Sequence, residues 1–136
     1  MLLHRTALFR QKNTRPALDK ISRIFKKILP IYWAFLSYML LKPGIETGDY
    51  WFVFQGIDKV VHISTFVMLG FCFMSAFPKT RFIVFLQIMM CYTFLTEILQ
   101  DEMGLGRSLE VWDAVADTIG VLIGYFLFRK TRNFVV

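Results

Sequence analysis

The chain has 136 residues, of which 56% are hydrophobic and only 19% are charged, and its formal net charge is +6. This composition excludes intrinsic disorder, and the arrangement of apolar residues in long runs argues against a water-soluble globular domain. Unpaired backbone groups are costly in lipid, so the runs are predicted to be helices. The expected fold class is all-α, a polytopic membrane protein with a bundle of four transmembrane helices.

The N-terminal segment, residues 1–23, is basic and is predicted to lie at the cytoplasmic surface of the membrane. An apolar stripe opposed by basic residues predicts an amphipathic interfacial helix with Asp19 as its N-cap, the stripe being Ile21, Ile24, Phe25 and Ile28. Two interpretations stay open. The segment either binds anionic lipid or only fixes the topology of the chain.

The membrane domain is predicted over 24–128, followed by a basic cytoplasmic tail at 129–136. Its spans are expected at 24–41, 60–77, 82–99 and 111–128. Each has roughly 18 residues, or about 27 Å of helix, which is close to the thickness of a hydrocarbon core. Pro30 falls in the first turns of its span, where a missing N–H costs little. Tyr50 to Phe54, between the first two spans, are predicted to form an interfacial aromatic belt.

The basic residues predict the orientation. Thirteen of the 16 Lys and Arg residues lie before the first span or in its first turn, between the second and third spans, or after the fourth. Cytoplasmic segments retain such residues, so the chain is expected to be a multi-pass protein of the plasma (inner) membrane with both termini in the cytoplasm. Its surroundings are then the lipid bilayer, and no nucleic-acid partner is expected.

Ionisable residues inside spans mark functional sites by default. His62, Glu97 and Asp113 each lie 16 or 17 residues from a basic residue at the inner boundary, which places them at one depth beneath the outer interface. Asp117 lies deeper, and it is expected to be protonated or paired because an isolated carboxylate far from water is costly. Three different helices therefore present titratable groups to a single layer.

Helical spacing assigns these residues to shared faces. Asp58 and His62 are four residues apart, and Thr93, Glu97 and Gln100 follow i, i+4, i+7 spacing. The fourth span carries a stripe of acidic and small residues, Asp113, Asp117, Gly120 and Gly124. Glycines four residues apart allow close approach of another helix, so Gly120 and Gly124 are predicted to pack against a neighbour with the aspartates facing into the bundle.

The ordered combination of motifs resembles the VanZ-like family of small bacterial integral membrane proteins. The motifs are Asp58-Lys59-x-x-His62, Thr96-Glu97-x-x-Gln100, Gly106-Arg107 and Asp113-x-x-x-Asp117-x-x-Gly120, and they cover about residues 58–124. The resemblance implies a four-helix membrane protein of the cell envelope, and the family's namesake is associated with teicoplanin resistance. This chain departs from the family at Asp117, where Asn is common, by adding a potential charge.

Three functions are compatible with the polar residues. A fourth, cation or proton translocation, needs titratable groups through the whole membrane, and the inner half offers only the polar residues Ser75 and Gln87. The polar residues beneath the outer interface could form a structural cluster that only holds the helices together, or an outward-facing site for an envelope ligand such as a lipid-linked or cell-wall precursor. Acids outnumber bases near the site, so an amine-bearing ligand fits more easily than a bare diphosphate, unless a divalent cation bridges the diphosphate or the acids are protonated. The predicted ligand-binding residues are Asp58, Lys59, His62, Glu97, Gln100, Arg107, Asp113 and Asp117, with Arg107 the expected bidentate contact to phosphate or carboxylate.

The third function is catalysis of group transfer or hydrolysis. His62 would act as general base, Glu97 or Asp113 would orient it, and Arg107 would stabilise negative charge. Ser64, Thr96 and Ser108 lack the sequence signature of a nucleophile. A metal site of His62, Glu97 and Asp113 is chemically feasible, but a single histidine supports it weakly, so no metal centre is predicted.

Overall fold

The computed structural model describes the backbone of residues 2–42, 57–103 and 111–135, and the side chains of residues 16–42, 57, 59–103 and 111–134. Within these ranges the chain forms four α-helices and no strand: α1 (Leu2–Leu41), α2 (Ile57–Ala76), α3 (Phe82–Glu102) and α4 (Val111–Val135). All four contain a segment long and apolar enough to cross a membrane, and these segments are Pro16–Leu41, Lys59–Ala76, Phe82–Glu102 and Val111–Phe134. The predicted class, an all-α membrane protein with four transmembrane helices, is confirmed. The predicted aromatic belt lies outside the described residues.

Helix α1 differs from the sequence prediction at its start. It runs without a break from Leu2 to Leu41, so Asp19 lies in its interior and the prediction that Asp19 is an N-cap is wrong. Pro16 and Pro30 both lie inside the helix, and Pro30 is therefore not in its first turns. An interior proline withdraws one backbone donor and costs about 3 kcal/mol in an isolated helix. The basic and apolar segments nevertheless form one continuous helix.

Consecutive helices run antiparallel. The Ser22 hydroxyl of α1 donates to Ala76 O at 2.6 Å, and the Tyr32 hydroxyl donates to Thr65 O at 2.8 Å, so α1 ascends as α2 descends. The first of these bonds also serves a carbonyl in the last turn of α2, where intrahelical donors are lacking. The Phe85 ring of α3 lies 5.3 Å from that of Tyr125 in α4. Helices α2 and α4 are parallel to each other, because Gly120 lies against Ile63 and Gly124 lies against Val67.

The helices bury apolar side chains between them and expose many others. The core includes Leu36, Phe66, Leu69, Phe85, Met89 and Val121. The outward faces carry large apolar side chains that are more than half exposed, among them Ile31, Phe35, Phe94, Trp112 and Phe126. A soluble protein would not leave so much apolar surface uncovered, whereas a lipid bilayer solvates it.

The two ends of the bundle differ in chemistry. The polar end, defined by Lys59, His62, Glu97 and Asp113, lies where α2 and α4 begin and α3 ends. The basic end, defined by Lys79, Arg81, Arg129 and Arg132, lies at the opposite ends of the same helices. A cavity of about 390 Å³ opens at the basic end between α1 and the α2–α3 turn, lined by Asp19, Ser22, Lys26 and residues 76–80.

Candidate functional site

The centre of the polar end is a hydrogen bond between α2 and α4. His62 is buried, and its Nδ1 lies 2.8 Å from Oδ1 of Asp117, which is fully buried. An ionised carboxylate only accepts hydrogen bonds, so we assign the imidazole proton to Nδ1. The contact shows that Asp117 is paired, which is one of the two states predicted for it. The bond fixes the orientation of the imidazole and leaves Nε2 on the opposite side of the ring.

Two further carboxylates lie near His62. Oδ2 of Asp113 is 4.0 Å from Nε2, which is beyond hydrogen-bond range for this pair. Glu97 of α3 is also buried, and one ligand atom from each of His62, Glu97 and Asp113 lies within 4.8 Å of the other two. Side chains from three helices thus converge, and this donor set can hold a metal ion.

Lys59 connects the cluster to the molecular surface. Its Nζ donates to Oδ1 of Asp113 at 3.0 Å, and the Lys59 side chain is 40% exposed while that of Asp113 is 13% exposed. His62 and Asp117 are almost completely buried behind this pair. Exposure therefore falls from Lys59 through Asp113 to His62, and the cluster reaches the surface on the Lys59 side.

Glycines position α2 and α4 for these contacts. A Cβ at position 120 would lie 2.5 Å from Ile63 O and 2.9 Å from Cβ of Phe66. A Cβ at position 124 would collide with Val67 O and lie 2.8 Å from the Phe71 amide nitrogen. Gly120 and Gly124 thus pack directly on the backbone of α2. Gly120 lies three residues after Asp117, so the close approach brings the short aspartate side chain within reach of His62.

The buried face of α3 combines one interhelix bond with one unsatisfied hydroxyl. Gln100 Nε2 donates to Leu40 O at 2.7 Å, which serves a carbonyl in the last turn of α1. Thr96 donates to Thr93 O at 2.8 Å. The fully buried Thr93 hydroxyl has no hydrogen-bond partner within the described part of the chain. Gln100 therefore ties α3 to α1, whereas Thr93 retains hydrogen-bonding capacity one turn before Glu97.

Five of the predicted ligand-binding residues are brought together, namely Lys59, His62, Glu97, Asp113 and Asp117. Gln100 joins the bundle near the same end through α1. The side chain of Asp58 and all of Arg107 lie outside the described residues. So does Ser108, and the hydroxyls of Ser64 and Thr96 are bonded to carbonyls of their own helices.

The contact between Asp117 and His62 was not predicted from the sequence. Glu97 or Asp113 was expected to orient His62, and the structure places Asp117 against Nδ1 of the ring. The depth estimate placed Asp117 below the other acids and so separated it from His62. The useful signal was the three-residue spacing between Asp117 and Gly120, because a glycine contact draws a short side chain across the helix interface. The bonds from Tyr32 to Thr65 and between Ser37 and Tyr92 were also missed, since hydroxyls carry little sequence signal.

Comparison with known families agrees with the motifs. The family model described as VanZ/LLP1 matches residues 4–134, nearly the whole chain. No curated protein and no solved structure matches the chain. The match includes all four helices and every residue of the polar cluster, and so the chain belongs to the VanZ/LLP1 family.

Proposed function

We propose that the polar end binds the headgroup of an envelope ligand that resides in the membrane. The observation that carries the proposal is the convergence of His62, Glu97 and Asp113 from three helices beside the partly exposed Lys59. Titratable groups are expensive inside a membrane bundle and are concentrated at ligand and ion sites. A cluster that served packing alone would have no need of a side that reaches the surface.

The charge of the cluster restricts the headgroup. Its described residues include three carboxylates, Glu97, Asp113 and Asp117, against the single ammonium group of Lys59. An amine-bearing headgroup complements this balance better than a bare phosphate does. Lys59 meets an adjoining phosphate, and Arg107, which enters the proposal from the sequence alone, supplies a bidentate contact. The favoured ligand therefore carries both an amine and an acidic group, with its tails against the apolar faces of the helices.

Phosphatidylethanolamine, which has an amine beside a phosphate, is a suitable probe. Native mass spectrometry should detect more bound phosphatidylethanolamine than phosphatidylglycerol on the wild-type protein, and Asp113→Asn should remove that preference. The matched control is Asp101→Asn, which makes the same change at an exposed residue near the end of α3 and should leave the preference unchanged. Equal binding of both lipids by the wild type, or an unaltered preference in Asp113→Asn, would contradict the proposal.

The proposal includes an orientation in which the polar end faces outward and both termini are cytoplasmic. It is supported by the unequal distribution of Lys and Arg along the sequence. A reporter fused after Arg132 should report cytoplasm, and a cysteine introduced at Gly48 should react with an impermeant reagent from outside. An external C-terminus would invert the site and exclude a ligand confined to the outer leaflet.

A link to glycopeptide resistance follows only from the family. A lipid-linked cell-wall precursor is one ligand with the required acidic and amine groups, and its binding would connect the site to teicoplanin susceptibility. Alanine variants of Glu97, Arg107 and Asp113 should lose any effect on teicoplanin susceptibility while the protein stays at its normal abundance. If instead the variants were less abundant, and teicoplanin resistance fell only in proportion to the amount of protein, the cluster would only hold the helices together.

Arg107 separates the binding and structural hypotheses. A ligand contact predicts that Arg107→Ala weakens binding with little change in thermal stability and that Arg107→Lys rescues poorly, because an ammonium cannot reproduce a planar fork. A structural counter-charge predicts loss of stability in Arg107→Ala, recovered when its acidic partner is also neutralised. Full binding by Arg107→Ala would remove it from the site.

One observation favours catalysis as a second candidate function. Asp117 holds His62 by Nδ1, so Nε2 is oriented toward the cluster as a general base for group transfer or hydrolysis. Mass spectrometry of vesicle lipids should then detect a modified headgroup with the wild type and with Asp101→Asn, but not with His62→Gln. Unmodified lipid with well-folded wild-type protein would argue for binding without chemistry on that lipid.

A further inference from the structure

We propose that His62 Nε2, Glu97 and Asp113 form a binding site for a divalent transition-metal cation, with Asp117 as the residue that holds the histidine ligand. The inference goes beyond the headgroup site, because cation binding can be measured without any lipid ligand. One imidazole nitrogen and two carboxylates are ligands that suit Zn²⁺, Mn²⁺ and Fe²⁺.

The donor positions lie close to what one ion requires. Donors bound at about 2.0–2.2 Å to a tetrahedral ion lie about 3.3–3.6 Å from one another. His62 Nε2 and Asp113 Oδ2 are 4.0 Å apart, and the full set lies within 4.8 Å. Small rotations of the two carboxylate side chains therefore suffice to bring all three donors onto a common centre.

The contact between Asp117 and Nδ1 of His62 resembles the hydrogen bond that metal-binding histidines make through the ring nitrogen that does not bind the metal. Protein histidines that bind metals generally donate the second ring N–H to a carboxylate or carbonyl, which fixes the tautomer and makes the ligating nitrogen more basic. Asp117 Oδ1 lies 2.8 Å from Nδ1, so the lone pair is assigned to Nε2, the atom nearest Asp113. A fourth residue outside the donor set thus prepares His62 for coordination.

The surroundings supply two further supports. Thr93, fully buried one turn before Glu97, has a hydroxyl without a hydrogen-bond partner in the described ranges, and such a group is costly unless it meets a ligand or water. A metal-bound water or a ligand oxygen can provide that partner. Electrostatics agrees as well, because the three carboxylates, which have only the Lys59 ammonium beside them among the described residues, supply negative charge that a divalent cation or, in its absence, the headgroup amine would balance.

The test measures the metal content of the 136-residue chain, purified without a histidine tag, stripped with chelator and then dialysed against Zn²⁺ or Mn²⁺ alone. The wild type should retain about one ion per chain, and Asp113→Asn should lose at least tenfold in affinity. Asp117→Asn, which keeps all three donors, should weaken binding by about 10- to 100-fold. The controls are Asp101→Asn, and His4→Ala, which removes the other histidine in the chain. Both should retain the metal.

A second measurement covers the case in which a variant does not fold. Co²⁺ bound to the wild type in a four-coordinate site should absorb visible light much more strongly than Co²⁺ in buffer, and Zn²⁺ should displace it. A wild type that retains no Zn²⁺, Mn²⁺ or Co²⁺ overturns the inference. Full metal retention by a folded Asp113→Asn variant overturns it as well. Metal binding without lipid preference would refute the headgroup proposal alone, and lipid preference in protein that retains no metal would refute the metal site alone.

Discussion

The contact between α2 and α4 differs in kind from the contacts that α1 makes with α2 and α3. Helices α2 and α4 meet backbone to backbone at Gly120 and Gly124, and this interface carries the ionisable pairs. Helix α1 instead packs through rings, such as Trp33 against Tyr92 at 5.3 Å, and through neutral hydrogen bonds. Short side chains such as aspartate can bridge only closely spaced helices. The polar cluster therefore lies where glycines remove the intervening side chains.

The largest expected effect comes from separating α2 and α4. Gly120→Leu places a side chain where even a Cβ would lie 2.5 Å from Ile63 O, so the helices must move apart or the protein must fail to fold. Overpacking of this kind costs about 3 kcal/mol or more. Unfolding in mixed micelles of mild detergent and dodecyl sulfate measures it. Ala34→Leu, at an exposed position of α1, is the matched small-to-large control and should be near neutral.

The next effect concerns the buried pair at the polar end. His62→Leu removes the imidazole donor from the fully buried Asp117 and should lower the free energy of unfolding by about 3 kcal/mol. The double variant His62→Leu with Asp117→Leu should recover much of this loss, because the carboxylate at position 117 is removed together with its histidine partner. Additive losses in that double-mutant cycle would mean that the two residues act independently. The α2–α4 interface would then not depend on a buried ionisable pair.

These two regions also explain which features were predictable from the sequence. Long apolar runs and their basic flanks predicted four membrane helices, because hydropathy acts over a whole helix. Spacing on α4 placed Asp113, Asp117, Gly120 and Gly124 on one face, but it carried no information about the neighbour. The pairing of Asp117 with His62 depends on the register between two helices far apart in sequence. The continuous α1 was missed because local capping signals at Asp19 are weaker than helix continuation.

A smaller effect is expected at the surface side of the cluster. The ion pair between Lys59 and Asp113 is part-exposed, so solvent screens it, and its coupling energy should be about 0.5–1 kcal/mol. A double-mutant cycle with Lys59→Gln and Asp113→Asn measures that coupling, and added salt should reduce it. Lys130→Gln, at an exposed position near the end of α4, makes the same charge change without touching the polar end. A coupling as large as that of His62 with Asp117 would show that Lys59 is buried in the folded protein.

The smallest expected effect concerns the neutral hydrogen bond between Ser37 of α1 and Tyr92 of α3. Ser37 donates its hydroxyl proton to Trp33 O at 2.8 Å, so the bond of 2.9 Å to Tyr92 must use the Tyr92 proton. Tyr92→Phe removes that proton but leaves Ser37 bonded to Trp33 and preserves the ring contacts with Trp33 and Phe66. Neutral hydrogen bonds between membrane helices contribute about 0.6 kcal/mol, so the loss should be of that size.

Two variants complete the test of Tyr92. Tyr38→Phe changes a hydroxyl on the exposed face of α1 and should have no effect on the free energy of unfolding. Tyr92→Leu also removes the ring contacts and should cost about 1 kcal/mol more than Tyr92→Phe, because aromatic pairs contribute about 0.5–1.5 kcal/mol beyond buried area. If Tyr92→Phe were as destabilising as His62→Leu, the hydroxyl would be as important as the buried ion pair. The division between a charged α2–α4 interface and a neutral α1 interface would then be wrong, because both would depend on polar bonds of equal strength.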